Sequence, residues 1–115
     1  MTRTNDTPTL FRMAAAADVA PGAIVRVADT PLGPVALVNV NGAFHAARDR
    51  CPHAAAALSE GFLEGEWLVC PTHFAEFHVR TGEVRNAPKH CPNVAIHEIV
   101  QQDGDLHLVL AAPLP

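Results

Sequence analysis

Apolar positions along this chain fall in short bursts, each closed off by a turn-forming pair. Ile24-Val25-Arg26-Val27 follows Pro21-Gly22, and Val35 to Val40 runs into Asn41-Gly42 and on to Ala43-Phe44-His45-Ala46. Asn-Gly between two such runs is a strong hairpin signal. Trp67-Leu68-Val69 leads directly into Cys70, while Phe77-His78-Val79-Arg80 and Glu83-Val84-Arg85 flank Thr81-Gly82 as a second hairpin. Val94 to Val100 is one strand, turned at Asp103-Gly104-Asp105 into Leu106-His107-Leu108-Val109. Two Ala-rich stretches, Ala14–Ala17 and Ala54–Ala57, each suit the start of a helical turn but are too short to hold a helix alone. Residues 1–9 are polar and form a loose lead-in. Many short strands with turns between them predict an all-β antiparallel sandwich or barrel.

Composition narrows the setting. The 115 residues are 49% hydrophobic, enough for one domain with a real core. No apolar run reaches membrane-spanning length, and Met13 to Ala17, followed at once by Asp18, is too short for a signal peptide. The expectation is therefore a cytoplasmic protein with no membrane contact. Three cysteines do not make a disulfide framework, and in a reducing compartment paired cysteines point to metal. The net charge of −4, with only eight scattered Lys and Arg, disfavours nucleic acid as a partner. Asp49, Glu60, Glu64, Glu66 and Glu76 gather near the centre of the chain. An ordinary solvated surface accounts for them; an acidic docking face for a basic partner is the sharper reading.

The chemistry sits in one ligand set: Cys51-Pro52-His53, sixteen intervening residues, then Cys70-Pro71-Thr72-His73. Each proline biases the preceding cysteine toward an extended backbone, so each pair starts on a stiffened turn. A mixed Cys/His set suits zinc or an iron–sulfur cluster. Zinc fingers usually pair Cys with Cys and His with His, whereas here each pair is mixed. Two facing loops of this kind offer one metal two sulfurs and a second metal two nitrogens, which fits a binuclear centre with bridging sulfides. Two ferric ions, two sulfides and two thiolates sum to zero with neutral imidazoles. A centre less negative than the four-thiolate version accepts an electron more readily.

These residues resemble the signature of the Rieske [2Fe–2S] family. The flanks agree: Leu58-Ser59-Glu60-Gly61 after the first loop, Phe74 after the second, and Arg80-Thr81-Gly82-Glu83 further on. The resemblance runs from about Val25 to Val109. It implies a single domain over residues 1–115, with a small cluster-binding subdomain at about 46–87 that carries the two ligand loops. It implies one [2Fe–2S] cluster per chain, held by Cys51, His53, Cys70 and His73. Within the family the chain is most similar to the small ferredoxins of aromatic-ring-hydroxylating dioxygenase systems. The role implied is a one-electron carrier between a flavin-dependent NAD(P)H reductase and a Rieske-type terminal oxygenase, not an enzyme in its own right. The loop-linking disulfide and the tyrosine of the cytochrome bc-type members are missing, Ala56 and Thr72 standing where those cysteines would be. Ala55 and Ala75 stand where glycine is common in the family. Two other readings stay open: a Rieske-like small subunit of an oxidoreductase complex such as nitrite reductase, and a zinc-stabilised binding module.

The remaining candidates have plainer expectations. Cys91 reads as a small semi-buried or exposed thiol, and His45, His78, His90, His97 and His107 as surface or packing residues. His78 alternates with Phe77 and Val79 and should face away from the core. Trp67 reads as core packing beneath the second loop. Phe74 either shields the centre from water or simply packs. Gly61, Gly65 and Gly82 read as turn glycines.

Overall fold

Residues 9–110 are described by a computed structural model, and the region 1–8 of the expected lead-in lies outside it. The strands are β1 (Thr9–Ala15), β2 (Ile24–Val27), β3 (Val35–Val40), β4 (Ala43–Arg48), β5 (Phe62–Glu64), β6 (Trp67–Val69), β7 (Glu76–His78), β8 (Val84–Arg85), β9 (Ile96–His97), β10 (Ile99–Gln102) and β11 (Asp105–Leu110). They form three antiparallel sheets, ordered β1-β11-β10, β2-β3-β4-β9 and β5-β6-β7-β8. Among the described residues there is no α-helix, only single 3-10 turns at Ala16–Asp18 and Leu58–Glu60. The all-β antiparallel expectation holds.

The middle sheet is apolar on both faces, which is why β3 reads as an unbroken apolar run rather than an alternating one. Val35 and Leu37, with Ala46 of β4, join Val19, Leu106 and Leu108 in one core. Val38 and Ala47, one position out of phase, join Leu58, Leu68, Phe77 and Val94 in a second core. Period-two alternation thus sends successive residues of one strand into different cores. The second core also contains Cys51 and Cys70, so the ligand loops are rooted in it. Asn39 interrupts the apolar run without cost in unpaired groups: its Nδ2 donates to the Val19 carbonyl at 2.7 Å and its Oδ1 accepts from Gly42 N–H at 2.7 Å.

Three expectations need correction. Residues 94–100 are not one strand: Ile96–His97 pairs with β4, and after Glu98 the chain changes sheets to pair with β11. A periodicity argument does not detect that switch. The stretch Ala14–Ala17 begins as the end of β1 and only then makes a short turn, because pairing to β11 satisfies more backbone than one helical turn would. Ala54–Ala57 makes no helical turn; the turn comes directly after it, at Leu58–Glu60. β1 and β5 carry no clear apolar run, and the sequence pattern predicts neither.

His97 lies on β9 with its Nε2 buried and without a hydrogen-bond partner. Burial, and secondarily the charge of Arg48, lower its pKa from 6.5. Burial lowers that of His45 as well, partly offset by Glu66. A folded state that resists protonation loses stability as pH falls through the unfolded pKa, and is unaffected above it. The denaturation midpoint should therefore fall between about pH 7.5 and pH 5.5, and His97→Leu should flatten that dependence; equal slopes in urea titrations of the two proteins would refute it.

Candidate metal centre

The two ligand loops close by the same device. Cys51 N–H donates to the Ala56 carbonyl at 2.9 Å, and Cys70 N–H to the Ala75 carbonyl at 2.8 Å. Each cysteine thus opens a turn that returns to it five residues later, with proline in the next position. Inside the second turn Phe74 N–H donates to the Cys70 carbonyl at 3.0 Å. That closure puts Phe74 at φ +64°, a left-handed backbone that a bulky side chain seldom adopts.

Side chains outside the loops hold them in place. Asp49, two residues before Cys51, has a fully buried carboxylate that accepts from Arg26 Nη1 at 2.7 Å and from the Ser59 N–H at 2.7 Å and Oγ at 2.5 Å. The first loop is therefore clasped at both ends by one carboxylate, and that carboxylate is tied to β2. Gly61 joins the first loop to the second. It is not a left-handed turn glycine: a Cβ there would meet the Val69 carbonyl oxygen at 1.8 Å and the Pro71 ring at 3.2 Å. Gly82 combines both demands, with φ +79° and the Val94 carbonyl oxygen 2.1 Å from any Cβ. From the sequence Asp49 reads only as an acidic surface candidate and Ser59 only as part of a flank, since Arg26 lies 23 residues away from Asp49 along the chain. The Asp-then-Ser bracket around the first loop was the signal available.

Of the four predicted ligand residues, the cysteines are buried and the histidines exposed. The two imidazole rings have centroids 5.4 Å apart, tilted by 60°. Burial, and next the neighbouring Cys70 thiol, push the Cys51 thiol up, while the backbone N–H groups of His53 and Ala54 pull it down. Burial thus favours the protonated Cys51 thiol, and a bound metal is what would supply the charge to hold a thiolate there. The donors divide by kind, with sulfurs inside and nitrogens at the rim. Among the described residues, no three His, Cys, Asp or Glu side chains converge on one point suited to a single ion. The division into a buried sulfur pair and an exposed imidazole pair suits a two-metal centre with sulfur at one end and nitrogen at the other.

The surroundings differ from expectation in several places. Trp67 is not core packing: it is half-buried, with the Arg85 guanidinium 3.7 Å over its ring and His78 edge-on at 4.9 Å. His78 does point away from Phe77, but Glu66 (3.2 Å) and Trp67 cover it. Phe74 neither shields nor packs, being 57% exposed beside His73. Cys91 is half-buried against the core that holds Cys51 and Cys70. Three of the five acidic residues are paired within the protein: Asp49 is buried against Arg26, Glu66 meets Arg80 at 3.2 Å, and Glu76 meets Arg85 at 2.7 Å, while Glu60 and Glu64 stay exposed.

Removing Arg26 leaves the Asp49 carboxylate buried with fewer donors. Arg26→Ala should cost about 1–3 kcal/mol, whereas Arg12→Ala, which breaks an exposed pair with Asp105, should leave the midpoint nearly unchanged. Gly61→Ala should cost about 1–3 kcal/mol, because strand backbone and not a flexible side chain must move. Urea denaturation of the three variants checks both statements, and an Arg26 variant no weaker than the Arg12 variant would overturn the first.

Residues 9–103 match the Rieske [2Fe–2S] domain family. The chain is 39% identical over 100 residues to the ferredoxin component of biphenyl 2,3-dioxygenase from Rhodococcus jostii, covering 87% of this chain and 91% of that one. It is 35% identical over 98 residues to the ferredoxin CarAc of Metapseudomonas resinovorans, covering 85% and 91%. A solved complex of reduced oxygenase and oxidized ferredoxin in carbazole 1,9a-dioxygenase contains a chain that superposes with a TM-score of 0.79 at 32% identity, over 96% of this chain and all of that one. Paired loops, a divided donor set and these relatives agree that the chain belongs to the Rieske [2Fe–2S] domain family.

Proposed function

We propose that this protein is a one-electron carrier, the ferredoxin component of a multicomponent aromatic-ring-hydroxylating dioxygenase system. Cys51 and Cys70 would bind one iron, and His53 and His73 the other. A [2Fe–2S] cluster, when bound, supplies storage for a single electron. The chain's own contribution is positional. The second core keeps water from the thiol pair, the N–H groups of His53 and Ala54 are aimed at the Cys51 sulfur, and the exposed imidazoles bring the centre to the surface. The observation that carries the reading is this split between a buried sulfur pair and an exposed imidazole pair 5.4 Å apart.

Relatives at 35–39% identity named as ferredoxin components favour a carrier over a nitrite reductase subunit. Its partners are then a flavin-dependent reductase and a Rieske-type oxygenase, and it transforms no substrate itself. The proposal takes residues 1–115 as one domain, with a cluster-binding part at about 46–87; the third sheet, which runs from Phe62 to Arg85, supports that division. No helix among the described residues is long and apolar enough to cross a membrane. Three free cysteines suit a reducing compartment, and the proposal places the protein in the cytoplasm.

The anaerobically purified protein should be red-brown, EPR-silent when oxidised, and should give a rhombic signal of low average g after dithionite. Cys51→Ser or Cys70→Ser should abolish that signal, while Cys91→Ser should keep it. A colourless protein holding about one zinc per chain after iron-replete expression would sink the reading.

A further inference from the structure

Among the described residues the ion pairs leave two arginines over, and both lie in one place. Six arginines fall among the described residues: Arg12, Arg26, Arg48, Arg50, Arg80 and Arg85. Four have a carboxylate within 4.0 Å, namely Asp105, Asp49, Glu66 and Glu76. Arg48 and Arg50 have none among the described residues. Both line a groove of about 480 Å³ whose other walls are the first ligand loop, Cys51 to Ala55 including His53, and residues 92–95.

Local backbone explains why the two charges are stranded together. Asp49 between them points inward, its carboxylate already engaged by Arg26 and Ser59, so it offers nothing to its neighbours. Arg48, the last residue of β4, and Arg50, in the bend that follows it, are both exposed. The backbone is pinned, with Arg48 N–H donating to the Ala95 carbonyl and Arg50 N–H to the Arg48 carbonyl, each at 2.9 Å. Lys89, on the loop that leads to residues 92–95, also has no carboxylate partner among the described residues. On a chain of net charge −4, this is a concentrated basic spot beside an exposed imidazole of the centre.

We infer that this groove seats an acidic loop of a redox-partner protein, with Asp or Glu carboxylates meeting the Arg48 and Arg50 guanidinium groups. The inference rests on the carrier reading and adds the partner's chemistry to it. Guanidinium is suited to the task because its fork binds a carboxylate in two parallel hydrogen bonds. Complementary charge beside the exposed imidazoles orients the encounter and raises the association rate, an effect that salt screens. On the second loop the residue after His73 is the exposed and uncharged Phe74.

The test uses the holo-protein with the purified reductase and oxygenase of its own system. Each electron-transfer half-reaction is followed by stopped flow at low and high ionic strength, for the wild type, for Arg48→Glu/Arg50→Glu and for Arg48→Lys/Arg50→Lys. The charge reversal should slow at least one half-reaction about tenfold or more at low salt and remove most of its salt dependence. The lysine variant should retain most of the rate. Voltammetry should give the same reduction potential for all three proteins, and a neutral quinone should oxidise them equally, which separates docking from a change at the cluster. Unchanged half-reactions in the reversed variant would overturn the groove and leave the carrier reading standing. Inhibition by inorganic phosphate beyond that of chloride at matched ionic strength, with no effect of reversal on either half-reaction, would mean that the groove takes a small free anion, and would overturn it too. A wild type that exchanges electrons with neither partner would remove the carrier reading, and the groove with it.

Discussion

The buried carboxylate of Asp49 is the point on which the geometry of the centre turns. It is a charge with no exposed side-chain surface, so its donors must all be supplied by the protein. Arg26 supplies one from β2, and Ser59 supplies two from the far end of the first ligand loop. The consequence is geometric as much as energetic. A loop of ten residues that would otherwise sample many conformations has its ends drawn to one atom group, leaving Cys51 and His53 on a short, closed arc. The loop's own bond from Cys51 N–H to the Ala56 carbonyl then shortens that arc further. Ordering of this kind has to come before a metal can be held in a fixed geometry, because ligands on a loose loop pay their conformational entropy on binding.

The second constraint is mutual approach. The loops belong to different parts of the chain and must face each other closely for two thiols to be neighbours. Gly61 makes this possible, since any side chain there would collide with the Val69 carbonyl oxygen on the strand that leads into Cys70. The cores beneath have the same logic. β3 and β4 send alternate residues to either side, so the middle sheet is shared between a supporting core and the core that contains both cysteines. Val38 and Ala47 of the middle sheet share that core with both cysteines, so a displacement of the sheet reaches the thiols through them.

Strand signals were legible where apolar residues follow one another and a turn pair closes the run. β2, β3, β6 and the hairpin turns at Asn41-Gly42 and Asp103-Gly104 lie where the apolar pattern put them. Legibility failed where a strand is defined by its partner instead. Thr9–Ala15 alternates poorly, yet it is held by pairing with β11, and Val94–Val100 divides because its two halves answer to different sheets. The ligand set was legible because its donors are close in sequence and chemically rare. What holds them was not: Arg26 and Asp49 are 23 residues apart, and nothing in local pattern announces their bond. Trp67 shows the same limit, since only the fold reveals that Arg85 and His78 cover it from outside.

Net charge proves a poor guide to the surface near the centre. A count of acidic residues in the middle of the sequence suggests a negative face, but three of the five are consumed in pairs within the protein: Asp49 with Arg26, Glu66 with Arg80, Glu76 with Arg85. Pairing cancels opposite charges at short range, so what a partner meets at a distance is the unpaired remainder. Near the exposed imidazole of His53 that remainder is positive, because Asp49 is buried against Arg26 and Ser59 while Arg48 and Arg50 on either side of it are exposed. The same carboxylate that fixes the first loop therefore also sets the sign of the surface beside it. If it were absent, Arg26 would be free and the two flanking arginines would lose the inward anchor that keeps them on one face.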